Sequence, residues 1–462
     1  MHALKRRESG DAELLAALYA DQVAFDHTEQ AWYLWNGFHW QPDRCLQMVP
    51  LVSGPLAGQY LHLAARRRAS GDDQAAQGLA RRAADLCDRS RIANVLTLAR
   101  ANSRLALTAD KWDADPWLLG VGNGTIDLHS GTLRTPAPAD HIRTSAPTVW
   151  HGLDAPAPRW ERFLAEILAG RQDLIDFVQR LLGYGITALN TEHVLPVLWG
   201  AGRNGKDTLL ETLAHVLGPM AMPVSADVML STSRNPNAAT PLLYALHPLR
   251  LAWVNETNEG ARLDAGRIKL LTGGGQVAAR PLYGTPVTFA PRYLLALVTN
   301  FKPHASPDDY ALWKRLLLIP FTQSFVDDPD PDLPYEHKRD PHLLDRLRAE
   351  ASGVLAWLVR GCLAWQSEGL NPPPVVKTAT GEYRDGEDIV GQFIAECCRL
   401  QDGARVNAGA LYSAFNRWAQ DYGLETINHT TFGERLSRHK GIDKKRLAEG
   451  YVYVGLGLLT KD

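Results

Sequence analysis

The sequence predicts an α/β fold: a phosphate-loop core lies between an α+β N-terminal domain and a small C-terminal domain. Three observations predict it. An apolar run ending at Trp199 opens into Gly200, Gly202 and Gly205, and an apolar helical pattern begins at Lys206. In this strand–loop–helix order, backbone N–H groups and a helix N-terminus can surround a phosphate. From there to about residue 366 strand and helix signals alternate, as in sheets that bind ligands at their strand C-terminal ends. Beyond residue 389, helical patterns precede a basic hairpin.

A chain of 462 residues has room for two or three domains, each with a core of its own. Hydrophobic content of 45% and charged content of 22% describe a soluble globular protein. A net charge of −2 gives no global attraction to nucleic acid, so such binding must come from local basic patches. The five cysteines include no Cys-x-x-Cys spacing, so reduced thiols and no zinc site are expected. The N-terminus turns charged before a signal core can form, and no apolar run approaches a membrane span. The expectation is a cytoplasmic protein that touches no membrane.

Residues 1–150 read as the N-terminal domain. Asn36 and Gly37 divide aromatic flanks, a two-residue hairpin signal. The hairpin tryptophans suit cross-strand packing better than base stacking. Residues 61–105 are rich in Ala, Leu and Arg at helical spacing, and 118–134 read as short strands joined by glycine turns. Helices are expected between about 160 and 189, within a core domain set at 151–366. Residues 327–341 read as an acidic, Pro-rich surface loop and 367–388 as a linker, leaving 389–462 as the C-terminal domain.

The loop residues Gly200, Ala201, Gly202, Arg203, Asn204, Gly205 and Lys206 would wrap a triphosphate, with Lys206 a point charge at the β- and γ-phosphates. Asp207 stands where the motif expects a hydroxyl to ligand Mg²⁺, and Thr208 follows one position late. Residues 249–256 form an apolar strand ending in Glu256, a candidate base for water attacking the γ-phosphate, with Glu259 close behind. Asp207, Thr208 and Glu256 are the candidate Mg²⁺ ligands. Residues 269–289 read as glycines followed by a hairpin whose tip falls at Tyr283 and Thr285. A buried strand over 293–300 ends in Asn300, whose amide can bond the γ-phosphate and the lytic water without adding charge. Arg315 precedes another apolar strand, where it could reach a neighbouring subunit's γ-phosphate.

In this order the segments resemble superfamily 3 helicases, specifically the helicase portion of phage, plasmid and poxvirus-type primase–helicases. The residues that carry the resemblance are the loop 200–206, the stretches 256–260, 269–274 and 279–283, Asn300, and Trp313 to Arg315. Residues 123–128 and 182–185 look like that family's region ahead of the core. The resemblance implies an AAA+-like ATPase that uses ATP and Mg²⁺ and assembles as a ring, usually a hexamer. It implies movement along single-stranded and forked DNA in the replication of a phage, plasmid or other mobile element. It also implies that Lys269, Arg280 and the tip at Tyr283 and Thr285 line the central channel.

Departures are visible. Besides Asp207, Gly275 replaces an acidic residue, and Asn255 stands where many AAA+ enzymes carry a second acid. A carboxylate lost at 255 and gained at 207 would keep the metal's charge environment nearly constant. The rival reading is that Asp207 repels the triphosphate and weakens turnover. Residues 1–150 hold no Cys cluster and no set of paired acids, so primer synthesis is expected from a separate primase partner.

At the C-terminal end, Leu411, Phe415 and Trp418 keep helical spacing, and Thr431 to Glu434 reads as a capping box. Arg435 and Arg438 follow on that helix, and Lys444 and Lys445 lie in the hairpin. The arrangement resembles a winged helix, with these four residues on DNA phosphates. Two functions stay open: an ATP-driven DNA helicase, or an ATP-binding replication initiator or scaffold that assembles on DNA with little unwinding.

Overall fold

The structure is a computed structural model that describes residues 6–230, 240–256, 260–280, 286–447 and 450–459. At the N-terminus, α1 (Arg7–Tyr19) leads into β1 (Val23–Asp26), β2 (Ala31–Trp35) and β3 (Trp40–Pro42). Asn36 Oδ1 accepts from the N–H groups of Phe38 and His39, and Gly37 takes φ +99°, so the expected turn joins β2 to β3. Helices α2 (Ala57–Ala69), α3 (Asp73–Asp85) and α4 (Arg89–Ala99) share a core with Leu15 and Phe25. Within it the buried Asp11 accepts from Tyr60 Oη at 2.7 Å and Arg82 Nε at 2.8 Å, so its charge is paired. Strand β4 (Ala106–Leu107) joins β1 in parallel. Tyr33, Trp40 and Trp112 bury one another, so these hairpin aromatics serve packing.

Strands β5 (Leu118–Val121), β6 (Gly124–Asp127) and β7 (Thr132–Arg134) form a separate antiparallel sheet. The sequence places them in the N-terminal domain. Their Leu119, Val121, Ile126 and Leu128 instead share one core with α5 (Pro158–Ile167) and α6 (Gln172–Gly185). Short-strand alternation says which side chains are buried, not against what.

The centre follows in the order β8 (Leu195–Trp199), α7 (Lys206–Leu217), β9 (Ala221–Val224), β10 (Leu251–Glu256) and α8 (Ala265–Leu271). Then come β11 (Val277–Ala279), β12 (Val287–Phe289), β13 (Leu294–Thr299), α9 (Tyr310–Trp313) and β14 (Leu316–Pro320). Five of these strands form a parallel sheet in the order β14–β8–β13–β10–β9, while β11 and β12 pair as a hairpin. Near-continuous apolar runs suit strands covered on both faces. Leu294, Ala296 and Val298 face the core of α5, α6 and α7, whereas Leu295 and Leu297 face α8 and the β11–β12 hairpin.

Beyond the sheet, β15 (Ser324–Val326) and β16 (Glu336–Lys338) pair in parallel. Thus the predicted surface loop partly continues a strand pair. Helix α10 (Ala351–Glu368) crosses α6 so closely that a Cβ on Gly183 would overlap the backbone of Gly361 and Cys362. Gly183→Ala should therefore lower stability by about 3 kcal/mol, measured by urea denaturation, because neither helix backbone can yield cheaply.

The predicted linker is mostly α11 (Pro374–Glu387). Tyr383 and Ala379 are buried in the second core, and Thr380 Oγ1 accepts from the N–H of Leu318 at 2.9 Å. The helix so covers the edge strand β14. Its Pro-rich start resembles a linker, but Val376, Ala379 and Tyr383 mark one helical face.

The C-terminal unit has its own core and comprises α12 (Ile389–Cys397), β17 (Cys398–Asn407), α13 (Ala408–Asp421), α14 (His429–Leu436), β18 (Asp443–Leu447) and β19 (Gly450–Leu458). Its strands pair in the order β17–β19–β18. Asn428, not Thr431, caps α14, accepting from Thr431 N at 2.9 Å. Thr431 lies inside the helix, and Arg438 lies beyond its end. No helix among the described residues is long and apolar enough to cross a membrane.

Candidate functional site

The β8–α7 connection holds the predicted loop in a constrained path. Gly205 takes φ +87°, and a Cβ there would overlap Ile167. A Cβ on Gly200 would overlap the carbonyl oxygen of Phe321. Gly202 borders open space. Arg203 adopts the left-handed conformation with φ +61°, uncommon for a residue with a Cβ. Asn204 is buried and braces the loop from within, donating to Ala201 O.

Lys206 opens α7 and is only 4% exposed. Its Nζ donates to Gly200 O at 2.7 Å, Ala201 O at 3.4 Å and Asn300 Oδ1 at 3.2 Å. All three acceptors are neutral. Burial pushes the amine down to about 8, and the charge of Asp207 opposes that shift. A desolvated cation at the start of a twelve-residue helix adds its positive charge to that of the helix N-terminus, beside an open glycine.

The parallel register brings the other candidates to the same sheet end. Thr299 pairs with Trp199 on one side and Glu256 on the other, so β8, β13 and β10 finish in one row. Asn300 follows directly and reaches Lys206. The Glu256 backbone is in this row; its side chain, with Glu259, Tyr283 and Thr285, lies outside the described residues. Asp207 is exposed and Thr208 half-buried on the first turn of α7. Among the described residues no group of three His, Cys, Asp or Glu side chains is placed to hold a metal.

Arg315 sits at the other end. It precedes β14, and its backbone carbonyl accepts from Leu195 N at the start of β8. Five strand residues separate it from the row of Lys206, roughly 16 Å. Its Nη1 donates to Ala311 O at 2.8 Å and its Nε to Thr272 Oγ1 at 3.2 Å. No carboxylate pairs with it among the described residues.

Sequence reasoning missed a cavity of about 270 Å³ beside the loop. Phe163, Gly205, Thr208, Phe325 and Leu343 line it, with Asp327 and Arg339 at its rim. No local pattern could have shown it, because α5, α7 and the β15–β16 pair each contribute a wall. Lys302, with Nζ 4.3 Å from the Trp199 ring, was also missed.

The candidates for nucleic-acid contact divide. Lys269 Nζ is 2.7 Å from Asp309 Oδ2. Arg435 and Arg438 lie 3.2 and 2.8 Å from the carboxylate of Asp308. Arg280 is exposed beside β11, and Lys444 and Lys445 are exposed on β18.

Residues 12–169 match the family described as D5 N terminal like, and residues 386–452 match the family described as Poxvirus D5 protein-like. A candidate helicase of Acanthamoeba polyphaga mimivirus is 27% identical over 319 residues, covering 66% of this chain and 33% of that protein. A candidate helicase of Frog virus 3 is 26% identical over 423 residues, covering 75% of this chain and 43% of that protein. A candidate primase of African swine fever virus is 25% identical over 328 residues, covering 66% and 33%. The chain spans less than half the length of these relatives. Among solved structures, the apo NrS-1 C-terminal region gives a TM-score of 0.48 at 10% identity, over 97% of this chain and 99% of that one. The chain thus resembles D5-like families on both sides of its parallel sheet, and its viral relatives are described as helicases and primases.

Proposed function

We propose that this chain is an ATP-driven DNA motor, the helicase portion of a D5-like primase–helicase. In this reading an AAA+-like core works as a ring-shaped oligomer, six copies in number, on single-stranded and forked DNA during replication. The observation that carries it is the buried Lys206, held by neutral oxygens where three parallel strands end.

The residues present fit a nucleotide. The loop offers an unneutralised amine, a helix N-terminus and open space at Gly202 for the phosphates. The cavity beside Thr208, with Phe163 and Phe325 in its walls, would take the base and ribose. Lys206 would hold the β- and γ-phosphates, and Asn300, already in contact with Lys206, would orient water at the γ-phosphate. Glu256 would take that water's proton. Mg²⁺ would add neutralising charge, held by phosphate oxygens and water with Asp207 or Thr208. Arg315, remote from its own Lys206 and without a carboxylate partner, would serve the adjacent copy's γ-phosphate.

The test is ATP hydrolysis with and without single-stranded DNA, beside unwinding of a forked duplex. Stimulation with strand separation is the expected result. Hydrolysis indifferent to DNA would sink the motor. DNA binding without turnover would favour the initiator reading, which the exposed carboxylate of Asp207 keeps in view. Asp207→Ala separates the two roles of that residue: if Asp207 helps hold Mg²⁺, the variant should need about tenfold more Mg²⁺ for half-maximal rate. A faster variant with unchanged Mg²⁺ demand would show that the carboxylate only repels the triphosphate.

A further inference from the structure

The four basic residues predicted to bind DNA in the C-terminal unit do not share one situation. Arg435 Nε lies 3.2 Å from Asp308 Oδ2, and Arg438 Nη1 lies 2.8 Å from Asp308 Oδ1. Asp308 belongs to the core, in the segment between Asn300 and Arg315. His439 Nε2 stands 3.7 Å from Asp388, extending the same seam. The Arg435 side chain is 15% exposed. A phosphate reaching it would have to displace a carboxylate from a partly buried pair and strand that carboxylate, which is costly.

The β18–β19 hairpin is different. Every residue of β18 is exposed, and Lys444, Lys445 and Arg446 meet no carboxylate among the described residues. In the register, Lys444 stands opposite Tyr453 and Arg446 opposite Tyr451. Directly opposed residues lie on one face, so Lys444, Arg446, Tyr451 and Tyr453 share it. Tyr451 is 51% exposed, with Lys444 Nζ 4.9 Å and the Arg446 guanidinium 5.8 Å from its ring centre. Tyr453 is buried and seats the hairpin on α14, where a Cβ on Gly433 would come 2.7 Å from its hydroxyl. Lys445, opposite Val452, lies on the other face.

We propose that the C-terminal unit contacts nucleic acid through the hairpin face of Lys444, Tyr451 and Arg446, with the phosphodiester backbone as ligand. Arg435 and Arg438 dock the unit onto Asp308 instead. The proposal rests on the nucleic-acid reading above. Lys444 and Arg446 are two residues apart, about 6.6 Å along the strand, a step that two neighbouring phosphates of one strand can match. Contact with the Tyr451 ring holds both cations out of solvent disorder before the ligand arrives. The Arg446 fork adds two-pronged phosphate contact.

The experiment uses the full chain without nucleotide, a labelled blunt duplex and a single strand, and affinities between 50 and 200 mM salt. The double variant Lys444→Ala/Arg446→Ala should flatten the salt dependence by about 1.8 log units per log unit on duplex and about 1.4 on single strand. Tyr451→Ala should weaken binding about tenfold, and Arg435→Ala/Arg438→Ala should leave the slope unchanged. All three hairpin side chains are exposed, so their variants should unfold at the parent's temperature, which separates lost contact from lost fold. A flattened slope in the Arg435/Arg438 variant with an unchanged slope in the hairpin variant overturns the assignment. A parent chain that binds neither oligonucleotide at 50 mM salt overturns the nucleic-acid reading as well.

Discussion

Replacing Lys206 by methionine is expected to cut ATP hydrolysis by at least about 100-fold, because the amine acts on charge that develops at the γ-phosphate. The same substitution has a second signature. In the ligand-free protein, burial holds the Lys206 amine near 8 against its ordinary 10.5. Between those values the unfolded chain binds the additional proton, so this group makes native stability rise with pH. The parent should therefore gain on Lys206→Met by up to about 3 kcal/mol between pH 8 and 10.5. Bound triphosphate supplies the missing countercharge, so a saturating non-hydrolysable ATP analogue should flatten that dependence. Urea denaturation at several pH values, with and without the analogue, reads both effects. A variant that hydrolyses ATP at the parent's rate would end the nucleotide-site assignment.

Arg250→Ala is expected to lower stability by about 3 kcal/mol, a large fraction of the 5–15 kcal/mol typical of a folded protein. The Arg250 guanidinium is buried and pairs with no carboxylate among the described residues. Its Nη1 donates to Ile186 O at 2.9 Å and Pro116 O at 3.2 Å, and its Nη2 to Leu118 O at 2.7 Å. Burial pulls this group down to about 10. Removing it relieves the buried charge but takes a donor from the Ile186 and Leu118 carbonyls and opens a void, while Pro116 O keeps the Ala188 N–H at 3.1 Å. Pro116 and Leu118 belong to the entry of β5, and Ile186 to the end of α6. One side chain thus ties two elements to the start of β10, whose far end carries Glu256. Arg250→Lys should recover little, because an ammonium cannot span three acceptors in a fork. An unfolding midpoint for Arg250→Ala equal to the parent's would refute this role.

Local chemistry left clear marks along the chain. The Asn36–Gly37 turn, the glycine loop before Lys206, the buried run of β13 ending at Asn300, and the helical face of Leu411, Phe415 and Trp418 were all readable. Each depends on residues close in sequence: a left-handed turn, a strand's continuous apolarity, or a 3.6-residue period. The cap of α14 was misplaced by three residues because Asn428 and Thr431 both suit the position, and only the backbone distinguishes them. The helical face of α11 was present too, but its prolines outweighed it.

The alternation of strands and helices through the centre, the glycine loop ahead of Lys206 and the candidate roles of Lys206, Glu256, Asn300 and Arg315 were read from the amino acids alone. Only the folded chain decided that β5–β7 share the central core, that Asp308 engages Arg435 and Arg438, and that Phe163 and Phe325 face one cavity with Thr208. These outcomes depend on pairs far apart in sequence, 45 residues for Phe163 and Thr208 and 130 for Asp308 and Arg438, whose contacts arise from packing whole layers together. A charge in sequence carries no sign of its partner, so Asp308 beside Arg435 and Arg438 could not be read from the chain.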